Sequence, residues 1–294
     1  MESALRVSKK RIFFISEKGG RQQMVNLYIR LFWKRNWKKY IPVVILILIQ
    51  CQTFRNILQG YESYFGIRFE VSAGDYIADF CKGTIPYTTG GSQEPFNIPT
   101  IWSLYYIYFF AVIGHSVSQT ARNYEMQITL RCVSRAKWWR YQNLMLWMET
   151  AGYLLVTGLT FLLYGGYTGA LPGIFHQDVQ LGCAGMDLAG YQTGDFLLFV
   201  FFMPLLVMTA AAYIQYTASI KGNALVGILI SVVLLVSSVF HKNPLLIFNA
   251  LMLMRQSGVM EQGINPIAEI GICAAIIVIM SLLMRKMIEK KDLM

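Results

Sequence analysis

The chain has 294 residues, of which 55% are apolar and only 14% charged, and it carries a net charge of +10. That balance excludes an ordinary soluble domain. Six apolar stretches, roughly 40–59, 101–119, 143–165, 195–216, 223–240 and 267–284, also leave no room for a separate soluble catalytic domain.

Residues 1–39 form a basic segment that ends at the first apolar run. That run starts near Tyr40 and lacks a small-residue cleavage site, so it is expected to stay in the mature protein. Within Arg21–Tyr40, Met24, Leu27, Tyr28 and Leu31 recur at helical spacing among Arg30, Lys34, Arg35, Lys38 and Lys39. With Trp33 and Trp37 beside them, they predict a helix lying in the inner headgroup layer; a solvated basic helix is the alternative.

The first span, 40–59, is uniformly apolar in its inner half. Its outer half carries Gln52, Arg55, Asn56 and Gln59, three to four residues apart and so on one helical face. Polar side chains facing lipid are costly, which leaves two readings: a pathway-lining stripe, or an exit into the outer interface. The 60–100 outer loop holds Glu62, Glu70, Asp75, Asp79 and Glu94 against Arg68 and Lys82. Its aromatics (Tyr61, Tyr64, Phe65, Phe69, Tyr76, Phe80) predict a small packed cap. The second span opens with Trp102, Tyr105, Tyr106 and Tyr108, which read as an aromatic belt.

The inner segment 120–142 interleaves Arg122, Glu125, Arg131, Arg135, Lys137 and Arg140 with apolar residues and includes Trp138-Trp139, as in a short amphipathic helix. A medium outer loop, 166–194, precedes span four. A minimal inner connection, Thr217–Gly222 with Lys221, joins spans four and five. In the outer segment 241–266, Leu245–Met254 is apolar but about half the length of a crossing. It predicts a short helix that enters and returns, or lies on the outer surface, rather than a seventh span.

Charge placement supports six spans with both termini cytoplasmic. With the N-terminus inside, the cytoplasmic segments hold 21 of the 26 Lys and Arg residues: eleven before the first span, five in 120–142, one at Lys221 and four after the last span. Basic residues are retained on that side of a bilayer, so the positive charge is topology rather than a nucleic-acid footprint. The expected fold is therefore an all-α membrane protein: residues 1–39 as a cytoplasmic segment, and 40–294 as a six-span domain.

Chemistry is sparse. No G-x-x-x-x-G-K-[ST], H-E-x-x-H or G-x-S-x-G occurs, and His115, His176 and His241 are scattered over different elements. Glu149 and Glu269 are lone carboxylates near span ends, expected to reach the interface. Asp75 and Asp79 share a helical face but are weak evidence for a metal. Cys81 and Cys183 both fall in outer loops, where either a disulfide or two free thiols is open. The chain reads as a non-enzyme with no catalytic residues, metal or cofactor of its own.

The interface helix before the first span, the helical 120–142 segment and the short outer elements at 244–266 together resemble the permease subunits of type-two ABC exporters. The family's Glu just after span two would be Glu125, in Tyr124-Glu125-Met126-Gln127-Ile128. The Ser-Arg pair before span three would be Ser134-Arg135. Where the family keeps Gly-Thr after the Glu, this chain has Gln127-Ile128-Thr129. Gly74-Asp75-Tyr76, Lys82-Gly83, Pro95-Phe96-Asn97-Ile98-Pro99 and Trp102 are similar to a small Gram-positive subgroup that includes exporters of phenol-soluble modulins.

The resemblance implies a permease pair, most simply a homodimer, in a bacterial plasma membrane. Each copy would dock a cytoplasmic ATPase, with ATP and Mg on that partner. Arg122, Glu125, Arg131, Ser134, Arg135 and Lys221 would form the docking set; retention of the basic residues by topology and anionic lipid is the alternative for them. The cargo would be hydrophobic or amphipathic, such as a peptide, with Gln52, Arg55, Asn56 and Gln59 lining its path. A membrane immunity or sensor protein that binds an antimicrobial peptide without transport is the competing expectation.

Overall fold

The computed structural model describes residues 37–87, 97–122, 135–170 and 173–290, and they are all-helical with no strand. The predicted interface helix before Trp37 and most of the 120–142 segment lie outside the described residues. The chain divides into two units, Met1–Pro42 and Val43–Met294. Of the first, the described part is a 3-10 turn, Trp37–Tyr40, in which Lys39 Nζ sits 5.2 Å from the Tyr40 ring centroid, and the first two residues of α1.

The helices are α1 (Ile41–Phe65), α2 (Ala73–Cys81), α3 (Thr100–Arg122), α4 (Arg135–Thr168), α5 (Gln177–Val179, continued by a π-helical turn at Gln180–Ala184), α6 (Thr193–Lys221), α7 (Ala224–Phe240) and α8 (Pro266–Lys290). Among the described residues, four helices are long and apolar enough to cross a membrane: α1 counted from Trp37, α4 from Gln142, α6, and α8 to Ile288. The second and fifth expected stretches correspond to α3 and α7. α7 is an apolar helix of 17 residues, about 26 Å long at the α-helical rise.

Helix α6 is the centre. It packs against α3, α4, α7 and α8, and 61% of its spanning window is buried, against 28% for α1 and 17% for α8. Thr209-Ala210-Ala211-Ala212 are all buried in its middle, and such small side chains let neighbouring helices approach closely. Gly227 of α7 shows how close: a Cβ there would lie 2.5 Å from the Gln215 carbonyl oxygen on α6. Pro204 cannot donate to the residue four back, and the helix widens into a π-helical turn at Leu198–Phe202 just before it. The connection from α6 to α7 is shorter than the expected Thr217–Gly222. Thr217–Lys221 stay helical, and only Gly222 and Asn223 lie between, with the Asn223 side chain accepting from Val226 N to cap α7.

Three expectations are corrected. The first span does not end at Gln59: α1 runs on to Phe65 and stops at Gly66, whose φ of +68° is the left-handed conformation that ends many helices. Trp102, Tyr105 and Tyr106 are not an interfacial belt but are buried, at 3%, 1% and 2% exposure. Part of the cover is α2, whose Phe80 ring stacks edge-on to Tyr105 at 5.1 Å and packs on Phe161 of α4. The predicted short helix at Leu245–Met254 is instead two 3-10 turns, Ile247–Leu251 and Leu253–Arg255, sunk against α6, α7 and α8. Asn249 sets the first turn by donating from Nδ2 to the His241 and Asn243 carbonyls, each at 3.0 Å. Phe248 meets Tyr106 and Phe110 of α3.

Candidate functional site

The face of α1 that turns away from the bundle carries the polar residues singled out in the sequence. Val43, Ile47, Cys51, Phe54 and Leu58 form the buried stripe, at spacings of three and four. Gln52, Asn56 and Gln59 are exposed and Arg55 is half-buried, roughly opposite that stripe. Gln52 and Asn56 are linked, Nε2 to Oδ1, at 2.9 Å, and Tyr164 of α4 donates its hydroxyl to Gln52 Oε1 at 2.9 Å. Below them the same face continues with Ile41, Ile45 and Leu48, all exposed. The four residues are thus on one face, and Gln52 is held in place by both Asn56 and Tyr164.

Beside this stripe sits a cap built on α2. Ser72 and Asp75 form a capping box: Asp75 N donates to Ser72 Oγ, and Ser72 N donates to Asp75 Oδ2 at 2.8 Å. The Asp75 carboxylate is fully buried yet well supplied with donors. Oδ1 accepts from His176 N and Gln180 Nε2, both at 2.8 Å, and Oδ2 is 2.9 Å from His176 Nδ1. One side chain therefore ties the 60–100 loop to the 166–194 loop. Their backbones meet at Gly74, where a Cβ would fall 1.2 Å from the Ile174 carbonyl oxygen, so no other residue fits without moving the loop. Tyr76 completes the seam between Phe54 of α1 and Tyr164 of α4, at ring distances of 5.5 and 5.4 Å. Asp79, two turns into α2, accepts from Gln50 Nε2 of α1 at 2.7 Å. Burial pushes its carboxyl up to about 6, against the Gln50 hydrogen bond and the Lys82 charge, which pull it down.

Cys81 and Cys183 are free thiols, Cys81 buried and Cys183 half-buried. Burial first, and the Asp79 charge second, push Cys81 up to about 12. Burial and then the Glu62, Asp79 and Asp75 carboxylates raise Cys183. Neither is a thiolate at neutral pH, so neither is a reactive nucleophile.

Of the expected docking set, Glu125, Arg131 and Ser134 lie outside the described residues. Arg122 and Arg135 mark the end of α3 and the start of α4, their side chains outside the description. Lys221 is exposed at the last turn of α6.

Several polar sites escaped the sequence reading. Glu149 and Glu269, expected to reach the interface, are each only 1% exposed. Helix packing encloses them, because each lies on the side of its helix that meets the bundle. Ser116 Oγ donates to Glu149 Oε1 at 2.9 Å, beside a cavity of about 20 Å³ lined also by Gln142, Leu146 and Tyr216, room for one water. Arg255, just past the apolar Leu245–Met254 run, is the largest fully buried side chain among the described residues. Its Nε donates to Thr84 O at 2.8 Å and its Nη2 to Val239 O at 2.6 Å. Its Nη1 donates to Ser238 O and Asn249 Oδ1. It thereby closes the C-terminus of α7, whose last carbonyls lack helical partners. Burial lowers its pKa to about 10, which leaves it charged at neutral pH.

Among the described residues no three His, Cys, Asp or Glu side chains gather as a metal site. What the described residues offer is a polar helix face beside a cap tied together through Asp75. No family model, curated protein or solved structure matches the chain.

Proposed function

We propose that this chain is the permease subunit of an ATP-driven ABC exporter, moving a hydrophobic or amphipathic cargo such as a peptide out of a bacterial cell. On this reading α1, α3, α4, α6, α7 and α8 are six crossings with both termini cytoplasmic, and the 247–255 turns are a re-entrant outer element. Two copies pair, and each engages an ATPase through 120–142 and Lys221. ATP binding then drives transport only through its different affinity for the inward- and outward-facing states.

The observation that carries the reading is the outward-turned polar stripe of α1. Gln52, Asn56 and Gln59 are exposed on a helix that has the length and composition of a membrane span. Hydrocarbon solvates amides poorly, which favours a second protein surface or a water-filled path over lipid beside this face. A homodimer with α1 beside a shared path supplies both.

Purification from native membranes in mild detergent, followed by an ATPase assay, tests the assignment. A stoichiometric ATPase that is lost on Glu125→Ala plus Arg131→Ala supports it. A chain that purifies alone and binds a cationic amphipathic peptide without ATP-dependent movement overturns it in favour of an immunity or sensor protein. Within the exporter reading, Arg55→Leu plus Gln59→Leu is expected to reduce export while ATPase co-purification is unchanged. Undiminished export would remove the stripe from the path.

A further inference from the structure

Gln256, which follows the second 3-10 turn, and Glu269, in the first turns of α8, meet inside the protein. Gln256 is 0% and Glu269 1% exposed. Gln256 Nε2 donates to Glu269 Oε2 at 3.1 Å and to Ala250 O at 3.3 Å. The remaining oxygen of each group, Glu269 Oε1 and Gln256 Oε1, is buried without any hydrogen-bond partner. Two orphaned acceptors on groups already joined by one hydrogen bond are unusual, since nearly all buried polar atoms are paired.

A single proton resolves both. An ionised carboxylate only accepts, and so does an amide oxygen, so neither can satisfy the other. A carboxylic acid gains an O–H, and Glu269 Oε1–H can donate to Gln256 Oε1. The amide N–H donates to the acid and the acid O–H donates to the amide, closing a ring of two hydrogen bonds. We propose that Glu269 is a proton-binding site, and that the protonated acid and Gln256 form a neutral pair that latches the 247–264 segment onto α8.

The surroundings favour this over an anion. Among the described residues, the titratable groups placed near Glu269 are Tyr191, in the loop before α6, Cys273, one turn along α8, and Asp195 beyond Tyr191. All are acids or thiols, and none supplies a positive charge. Arg255, next in sequence to Gln256, directs its guanidinium at Thr84, Ser238, Val239 and Asn249 instead. The N-terminal turn of α8 favours an anion weakly, but burying an unpaired charge is the larger effect. The Tyr191 hydroxyl is itself buried without a partner. The inference stands on its own and does not depend on the exporter reading. Its consequence is that deprotonation sets two acceptors against each other and loosens the outer segment.

Infrared spectroscopy of the purified full chain in nanodiscs tests this directly. A carboxylic-acid C=O band is expected at neutral pH, absent in Glu269→Gln. In Gln256→Leu it should persist at the higher frequency of an acid without an acceptor. Because Gln mimics the protonated acid, Glu269→Gln should also match the wild type in unfolding temperature at acidic pH. It should then exceed it as pH rises; Asp79 contributes equally to both proteins, so the difference isolates Glu269. A neutral-pH spectrum without an acid band assignable to Glu269 overturns the proposal. So does an unfolding temperature raised by sodium but not potassium in the wild type alone, which would place a cation between the orphaned oxygens.

Discussion

Two buried side chains, Asp75 and Arg255, hold the cap and the end of α7 together, and they do so in opposite ways. Asp75 is a compact acceptor on a short side chain, so its donors have to be brought to it. Ser72 comes from its own capping box, and His176 and Gln180 come from a loop about a hundred residues away. That convergence forces the backbone contact at Gly74 and Ile174. Arg255 is a cation with five donors in a rigid fork on a long stem, so it reaches out to acceptors that already exist, chiefly the loose carbonyls at the end of α7. The difference teaches that the short acidic side chain needs its surroundings arranged around it, whereas the long basic one reaches acceptors already in place. Loss of the two should therefore fail differently.

The larger effect is expected at Arg255. Arg255→Leu leaves the Thr84, Ser238 and Val239 carbonyls and the Asn249 amide oxygen buried without their donors, at about 1–3 kcal/mol for each group that finds no substitute. A total loss of about 3–5 kcal/mol is expected, read as a lowered unfolding temperature in detergent and poor recovery of folded protein. Arg255→Lys keeps the charge but loses the fork, so it should rescue only part. Full rescue by Lys would show that charge, and not the planar set of donors, matters at this node.

Asp75→Asn ranks next. The substitution preserves shape, yet an amide NH₂ is turned toward groups that all donate, so one of the Ser72, His176 or Gln180 bonds is replaced by two opposed donors. A cost of about 2–3 kcal/mol is expected, since a buried donor left facing another donor bears its full desolvation penalty. The break should be local. Proteolysis or hydrogen exchange should open the 166–194 loop while α6 stays protected; simultaneous exposure of α6 would mean that the cap and the bundle unfold as one.

The sequence displays the bundle far better than it displays these nodes. All six apolar stretches became helices, because an uninterrupted apolar run decides its own structure. Where polarity returned before the helix ended, as at Gln59-Gly60, the boundary was misjudged: a glycine inside a helix costs only about 1 kcal/mol, and α1 simply continues. Ser72-Ala73-Gly74-Asp75 is a capping-box pattern that could have announced α2. Trp102, Tyr105 and Tyr106 misled because an aromatic cluster at a span end looks the same whether lipid or α2 covers it. The pairings of Asp75 with His176 and Gln180, Arg255 with Thr84, and Gln256 with Glu269 depend on tertiary approach, for which one sequence carries no local signal. The polar face of α1 was legible as a face; its exposure was not.

The smallest effect sharpens the contrast from the other side, because Asp79 is a carboxyl in the same cap that has not been given Asp75's donors. It accepts from Gln50 and is partly exposed, and burial holds its pKa at about 6 rather than the ordinary 3.8. The folded state therefore favours the protonated form. Its contribution to stability is complete below about pH 3.8 and is lost as pH rises through about 6, where the folded cap must carry the charge. Asp79→Asn removes that charge permanently. The variant and the wild type should unfold at the same temperature near pH 4, and the variant should become more stable by about 1–2 kcal/mol at pH 8, after allowance for solvent screening. An advantage for the variant that is constant with pH would point to packing rather than charge. An Asn variant that is less stable at pH 8 would mean that the surroundings of Asp79 have been arranged to hold its charge.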